Sequence, residues 1–256
     1  MSIVFKRPIL DSDKAPTILW DNILDGGTVT ESSGVGDNAL DYATNSYWEP
    51  TSLPATLAVN IGSSVGAGYL GICSHNLSSK GCTVTLQKNT GSWVDVCEVT
   101  PTDDTALLVI FNYTEASNWR LYVDGTDEPS IGVVFLGTAL QFDCGIIPGY
   151  VPMYMAEDIE LMTAQTITGQ FMPNRIQRRG LSTSFGLNIL ERDFVEGNEF
   201  QAFRRYYNDG GSFFFAGNPD ELRDDISYCW RASGTLQPSL DTIFYTTDMA
   251  LEGFLD

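Results

Sequence analysis

Asn38-Ala39-Leu40-Asp41-Tyr42-Ala43-Thr44-Asn45-Ser46-Tyr47-Trp48-Glu49-Pro50 is a polar loop carrying aromatics, and with the β-type runs C-terminal to it this stretch decides the fold. An apolar run, Leu57-Ala58-Val59-Asn60-Ile61, leads into Gly62, and Gly71-Ile72-Cys73-Ser74-His75-Asn76-Leu77 comes next. Thr83-Val84-Thr85-Leu86-Gln87 alternates with period two, turns at Asn89-Thr90-Gly91 and returns through Trp93-Val94-Asp95-Val96-Cys97, the pattern of a hairpin. Ala106-Leu107-Leu108-Val109-Ile110-Phe111 is continuously apolar, as a strand buried on both faces must be. Trp119 to Val123 and Ile131 to Gly137 add two further β-type segments. Repeated β-runs broken by Gly and Asp turns, without a convincing amphipathic helix, predict a sandwich over residues 20–142.

Outward from that region the chain divides further. Residues 1–19 read as an arm, with Pro8 and Pro16 flanking Ile9-Leu10 and Ile18-Leu19-Trp20 introducing the first strand. Gly145-Ile146-Ile147-Pro148-Gly149, within 143–149, reads as a hinge. Residues 150–256 then form a second β-rich unit, α+β and barrel-like, with one packed helix. Strands are expected over Asp158–Phe171 and Leu181–Leu190. The helix is expected over Asn198–Asn208, capped by Asn198, with Phe200, Phe203 and Tyr207 on one face and Asp209-Gly210-Gly211 as its stop. Phe213-Phe214-Phe215 must be a buried strand. Asn218-Pro219-Asp220-Glu221 has the signature of a short helix start, and Ile243, Tyr245, Thr247, Met249 and Leu251 alternate as a final strand.

Composition narrows the function classes. With 43% hydrophobic residues, the chain can build packed cores. A formal net charge of −19 argues against a phosphate-backbone partner, since nucleic-acid binding draws on clustered Lys and Arg. No apolar run approaches the roughly 20 residues of a membrane helix, so no membrane insertion is expected. Met1 to Pro8 lacks the apolar core of a signal peptide, which points to a cytosol-like site of synthesis. The five cysteines show neither a disulfide framework nor zinc-ligand spacing and read as small buried hydrophobes.

Few residues suggest chemistry. His75 is the only histidine, which removes most acid–base and nucleophilic schemes. At the end of an apolar strand it reads as a structural hydrogen-bonding residue. Asp103-Asp104, Glu157-Asp158 and Asp224-Asp225 are neighbours in sequence, and neighbours on extended chain point apart. They read as solvated turn acids, and no catalytic residue is assigned. Asp41, Thr44, Asn45 and Ser46 make an oxygen-rich turn of the kind Ca²⁺ favours, but the spacing is not that of an EF-hand. A polar turn stitched to itself is the plainer reading, so no metal ligand and no cofactor is assigned. Asp41, Asn45, Tyr47 and Trp48 form the candidate ligand loop: aromatic faces suit the C–H side of a sugar ring, although Trp48 equally suits a plug in the sandwich mouth. Arg175, Arg178 and Arg179, placed around a turn after Pro173-Asn174, and Arg204 and Arg205 on the helix are the candidate interface residues. Guanidinium groups fix register against carboxylates bidentately.

Several of these phrases together resemble the discoidin, or galactose-binding-like, jelly roll as it occurs in bacteriophage tail and baseplate proteins. They are Tyr47-Trp48-Glu49-Pro50, His75-Asn76-Leu77 with Gly81-Cys82-Thr83-Val84-Thr85, Asn118-Trp119-Arg120-Leu121, and Ile131 to Gly137. Behind them come a strand pair ending in a Ser/Gly stretch, a Phe- and Tyr-rich helix, a Phe-rich strand and Tyr228-Cys229-Trp230, a layout similar to tail-tip subunits. The resemblance implies a non-enzymatic virion component, assembled in the host bacterial cytoplasm. Its partners would be other tail or baseplate proteins, with a homo-oligomeric ring or several copies per particle. A rival reading is a carbohydrate- or receptor-binding module contacting host surface glycans. A depolymerase is the third.

Overall fold

Two continuous apolar runs have one structural cause in the computed structural model, which describes residues 2–165 and 167–255: each lies between two cores. In chain order the strands of the first half are β1 (Ile3–Phe5), β2 (Thr17–Leu19), β3 (Thr28–Glu31), β4 (Ala55–His75), β5 (Thr83–Asn89), β6 (Trp93–Val99), β7 (Leu107–Asp124), β8 (Ile131–Gly137) and β9 (Leu140–Gln141). The first sheet runs β3-β4-β7-β5-β6, with β8 also on β4 and β1 parallel on β7. The long strands β4 and β7 fold it over. Their pairing shifts register between Asn60 and Val65 and again between Ala67 and Tyr69, and Gly62 sits at φ +76° inside the first irregularity. Both halves then face one interior: Leu57 and Val59 meet Leu70 and Ile72, with Trp48, Leu107, Val109, Phe111, Trp119, Val134 and Leu136. The chain's first half is thus a discoidin-like jelly roll, and the protein is mainly β.

The residues between those positions pack the other way. Leu108, Ile110, Val133, Phe135, Tyr69 and Cys73 enter a second core, shared with Phe214, Ala216, Ile226 and Tyr228 of the later sheet. An alternating strand with water on one side would need polar residues at every second position. Here both sides are dry, so the run is unbroken.

The later elements are β10 (Glu157–Gln165), β11 (Phe171–Leu190), the helices α1 (Arg192–Glu196) and α2 (Asn198–Asn208), β12 (Phe213–Ala216), β13 (Ile226–Arg231), β14 (Ser239–Asp241) and β15 (Phe244–Gly253). Their sheet runs β10-β11-β15-β13-β12-β2-β9, with β14 on β15. One face joins the shared core. The other places Phe213, Phe215 and Cys229 against Phe200, Phe203 and Tyr207 of α2. The helix occupies the expected span, but Gly197, not Asn198, stands at its cap position. Within β4, Gly71 lets the Phe214 ring lie flat on the backbone: a Cβ there would come within 2.7 Å of the ring.

Four expectations are corrected. Residues 1–19 are no free arm: β1 pairs with β7 in the first sheet, while β2 pairs with β12 and β9 in the second, so this segment sews the two together. β9 itself, within the range expected for the jelly roll, belongs to the second sheet. Residues 143–149 are no loose hinge either. The Ile147 N–H donates to the Gly186 carbonyl at 3.0 Å, Ile146 bridges to Leu187, and both Cys144 and Ile146 pack on the core between the second sheet and α2. Just beyond, Tyr150 Oη and the Met153 N–H donate to the buried Asp225 carboxyl at 2.9 and 2.7 Å. Burial raises the Asp225 pKa despite these bonds. Third, Pro173-Asn174 make no turn. They lie within β11 where its pairing with β10 is irregular, between the Met162–Arg175 and Ala164–Met172 pairs, a position where proline's missing donor is tolerated. Fourth, Asn218 caps a single turn that does not continue as a helix: its side chain accepts from the Glu221 N–H and its carbonyl from the Leu222 N–H.

Candidate functional site

The Asp41–Trp48 loop turns inward. Trp48 is fully buried, its indole N–H donates to the Ser33 carbonyl at 2.9 Å, and its backbone bridges to Ile131. That ring offers no face to a sugar. Tyr42, at φ +65°, packs its ring 5.0 Å from Phe135, and its carbonyl accepts from Tyr228 Oη. Burial pushes the Tyr42 phenol well above its usual pKa. Asp41 accepts from the Ala43 N–H and so closes its own turn. Asn45 is exposed and Tyr47 half-buried. Of the four candidate loop residues, Tyr47 lines a cavity with other polar groups.

That cavity, of about 350 Å³, is bounded by Tyr47, Ser74, His75, Asn76, Asp104, Ser130 and Phe254. The end of β4 builds it. Ser74 is held at φ +53°, an uncommon conformation for a residue with a side chain, and its hydroxyl donates to the Thr44 carbonyl at 2.8 Å with Tyr47 Oη 3.3 Å away. Asn76 Oδ1 accepts from the Ser130 N–H at 2.7 Å, tying the β4 end to the start of β8. Asp104 accepts from the Ser78 and Ser79 N–H groups at 2.8 and 3.0 Å and from the Ser79 hydroxyl. Burial alone would raise the Asp104 carboxyl. Those bonds outweigh it and hold the pKa below the usual carboxylate range, so Asp104 is ionised at neutral pH.

His75 is 7% exposed, and Nδ1 accepts from the Leu77 N–H at 3.3 Å. A neutral ring that accepts at Nδ1 carries its proton on Nε2. Nε2 is buried without a hydrogen-bond partner among the described residues. Burial lowers the imidazole pKa, against the pull of the Asp104 carboxylate and of the Thr105 backbone alongside. Linkage fixes the sign. The unfolded ring titrates near 6.5 and the folded ring lower, so the unfolded chain binds more protons as the pH falls through 6.5. His75 therefore costs stability progressively on acidification below 6.5 and nothing above it. Because it is the sole histidine, unfolding measured in urea between pH 5 and 7.5 should show a slope that His75→Gln abolishes. Equal slopes in the two proteins would put the ring in water and refute this account.

The candidate interface arginines do not form one patch. Arg178 pairs with Asp158 at 2.8 Å and Glu252 at 3.6 Å, and Arg179 with Glu157 at 3.7 Å, all at the root of the β10–β11 ribbon. Arg175 lies further out, exposed. Arg204 and Arg205 stand on α2, where Arg205 Nε donates to the Gln201 carbonyl one turn back and Arg204 Nε is buried without a partner among the described residues. Among the cysteines, burial lifts Cys97 to about 12 and Cys144 to about 11, which leaves their thiols protonated and inert.

The ribbon is a feature that sequence reasoning missed. β10 is the edge of the second sheet, and Phe171 to Arg179 of β11 are exposed without interruption. Register sets Leu161 opposite Ile176, which puts both on one face, each about half exposed at 47% and 50%. Phe171 is 73% exposed. Residues 161–176 contain a single charged residue, Arg175, so the rest of the chain carries −20 (−19 less this +1).

No protein-family model matches this chain, and no curated protein matches it. Among solved structures it is similar to the family 32 carbohydrate-binding module of NanJ from C. perfringens, solved with galactose: 18% identity and a TM-score of 0.40, covering 47% of this chain and 98% of that one. It is also similar to chitosan-binding module 2 of a chitosanase/glucanase from Paenibacillus sp. IK-5, solved with chitotriose, at 18% identity and 0.39, covering 45% and 99%. A third is the family 32 module of AlyQ, solved with 4,5-unsaturated mannuronic acid, at 16% identity and 0.38, covering 46% and 95%. At these identities and scores nothing of their ligands carries over to this chain. The jelly roll is recognised from its own strand order and packing.

Proposed function

We propose that this chain is a structural subunit that works by docking, without chemistry of its own, and that its setting is a bacteriophage tail tip or baseplate. The ribbon carries the reading. A two-stranded ribbon with both faces in water is marginal by itself, and an edge strand with apolar side chains is a ready template for another chain. Ile159, Leu161, Met162, Phe171, Met172 and Ile176 are all exposed along it. Burying that surface against neighbouring subunits would contribute about 25 cal/mol per Å² of apolar area. The tail setting is supported by the sequence phrases of the jelly roll and of the Phe-rich second unit.

The bodies repel one another at −19 each, whereas the contact itself is apolar. Association in sedimentation experiments should therefore tighten as salt rises. The double variant Leu161→Asp, Ile176→Asp should stay monomeric at every salt concentration while keeping the unfolding midpoint of the parent. A parent that is monomeric throughout, both alone and mixed with tail extracts, would end this reading. So would its absence, by mass spectrometry, from purified particles.

A second reading, binding of host surface carbohydrate, is favoured by one observation: a cavity of about 350 Å³ lined by Tyr47, Ser130, Asn76 and Phe254. Hydroxyl-rich ligands suit donors and acceptors set beside an aromatic wall. The two readings are compatible, since the ribbon and the cavity draw on different residues.

A further inference from the structure

We infer that the β10–β11 ribbon of one copy docks on the β14–β15 hairpin of a second copy, a head-to-tail contact between two different surfaces of the same chain. This rests on the docking reading above and names what the ribbon meets.

The second surface is the turn between β14 and β15. Leu240 and Ile243 are 61% and 67% exposed there, and Phe244 is exposed beside them. Turns of this kind are ordinarily filled by Gly, Asn or Asp. Here Thr242 takes the left-handed position at φ +60°, and Ile243 follows it. β14 pairs with β15 alone, so its outer edge has no strand beside it among the described residues. The neighbouring end of β11 adds Ile189. Leu190 pairs with Tyr245, and Ile189 stands in the register shift just before it, exposed and at φ +62°. A β-branched residue is rarely found in that conformation.

Charge matches the two surfaces. In a chain that is 18% charged, residues 161–176 contain a single charged residue, Arg175, and residues 232–247, a stretch of the same length, contain a single one, Asp241. Both side chains are exposed, and neither has an ion pair among the described residues; Asp241 accepts from the neighbouring Thr242 hydroxyl at 3.4 Å. In register, Arg175 lies across from Met162 and Asp241 across from Phe244, so each charge shares a face with an apolar neighbour. Two ribbons meeting through residues 161–176 would offer Arg175 no carboxylate. The hairpin offers it Asp241, and opposite charges within apolar contacts fix register.

Geometry makes the contact intermolecular. β11 runs from the ribbon to the hairpin end, and Ile176 and Leu190 on it are fourteen residues apart (190 less 176), roughly 45 Å at the usual rise. The strand that joins the two surfaces therefore holds them apart within one copy. A contact between unlike surfaces leaves a free ribbon on one member and a free hairpin on the other, so further copies add in one direction.

Sedimentation velocity of paired variants tests this. Leu240→Asp, Ile243→Asp, at the hairpin turn, should be monomeric, as should the ribbon variant Leu161→Asp, Ile176→Asp. Mixed in equal amounts, the two should form a dimer and nothing larger, because one intact ribbon meets one intact hairpin. Arg175→Asp and Asp241→Arg should each weaken association about 10-fold or more, and mixing these two should restore it, since every contact between unlike variants again joins opposite charges. A hairpin variant that associates like the parent, while the ribbon variant does not, would overturn the head-to-tail contact and leave the docking reading standing. So would a parent that associates only with tail extracts. A mixture of the two double variants that stays monomeric, although both unfold in urea at the parent's midpoint, would overturn it as well. A parent that is monomeric in every setting ends both.

Discussion

Trp48→Ala is expected to lower the unfolding free energy by about 3–5 kcal/mol, the range for deleting a large aromatic from a core that cannot collapse onto the space. The indole is fully buried, and its neighbours in the jelly-roll core come from β4, β7 and β8 as well as the loop. Truncation also strips the Ser33 carbonyl of its donor, 2.9 Å away. The backbone around it is committed too: the Trp48 N–H donates to the Ile131 carbonyl at 2.9 Å and the Ile131 N–H returns the bond at 3.1 Å. Urea titration should show a large drop in midpoint with little change in slope. A loss of carbohydrate affinity in this variant would report the damaged fold rather than a lost stacking contact. A variant as stable as the parent would show that the ring faces solvent after all. Tyr47, half-buried beside Ser74, is the side chain of this loop whose removal tests the cavity.

The strands of the jelly roll were legible because local pattern and burial agree there. Ala106 to Phe111 announces that both faces are dry, and they are, with Leu107, Val109 and Phe111 in one core and Leu108 and Ile110 in the other. What the run could not announce is the identity of its second cover. Phe214 and Tyr228 reach it from more than a hundred residues away, and nothing in a local period encodes that pairing. The first nineteen residues misled for a related reason. β1 and β2 are three residues each, too short for alternation to register, and tertiary pairing alone makes them strands. The ribbon failed differently. Its apolar residues read as ordinary strand content, and sequence carries no signal that no layer covers them; Pro173-Asn174, a turn signal by composition, marks a pairing irregularity instead. α2 was the easy case, since Phe200, Phe203 and Tyr207 point to one core and a glycine pair succeeds them. His75 was seen as a hydrogen-bonding residue. That one of its nitrogens is buried without a partner among the described residues depends on packing between residues far apart in sequence and could not be read.

Phe214→Ala should cost a similar 3–5 kcal/mol, but its diagnostic consequence is a loss of cooperativity. Phe214 is 1% exposed and belongs to the core common to both sheets, with Phe135 of the jelly roll at 5.5 Å edge-on and Tyr228 at 5.2 Å between ring centres. Its ring also covers Gly71. Neighbouring Phe215 is equally buried but faces the opposite way, stacked 4.9 Å from Phe185 inside the second unit. The two substitutions remove the same atoms from the same strand and differ only in which core they empty. In calorimetry the parent should unfold in one transition, because the shared core and the sewn-in β1 and β2 make separate melting costly. Phe215→Ala should lower that transition intact. Phe214→Ala should split it, the jelly roll and the Phe-rich unit melting at different temperatures once the layer between them is emptied. Two variants with superimposable single transitions would mean that the seam is held chiefly by the backbone pairing of β1, β2 and β9, and that the apolar layer merely fills it.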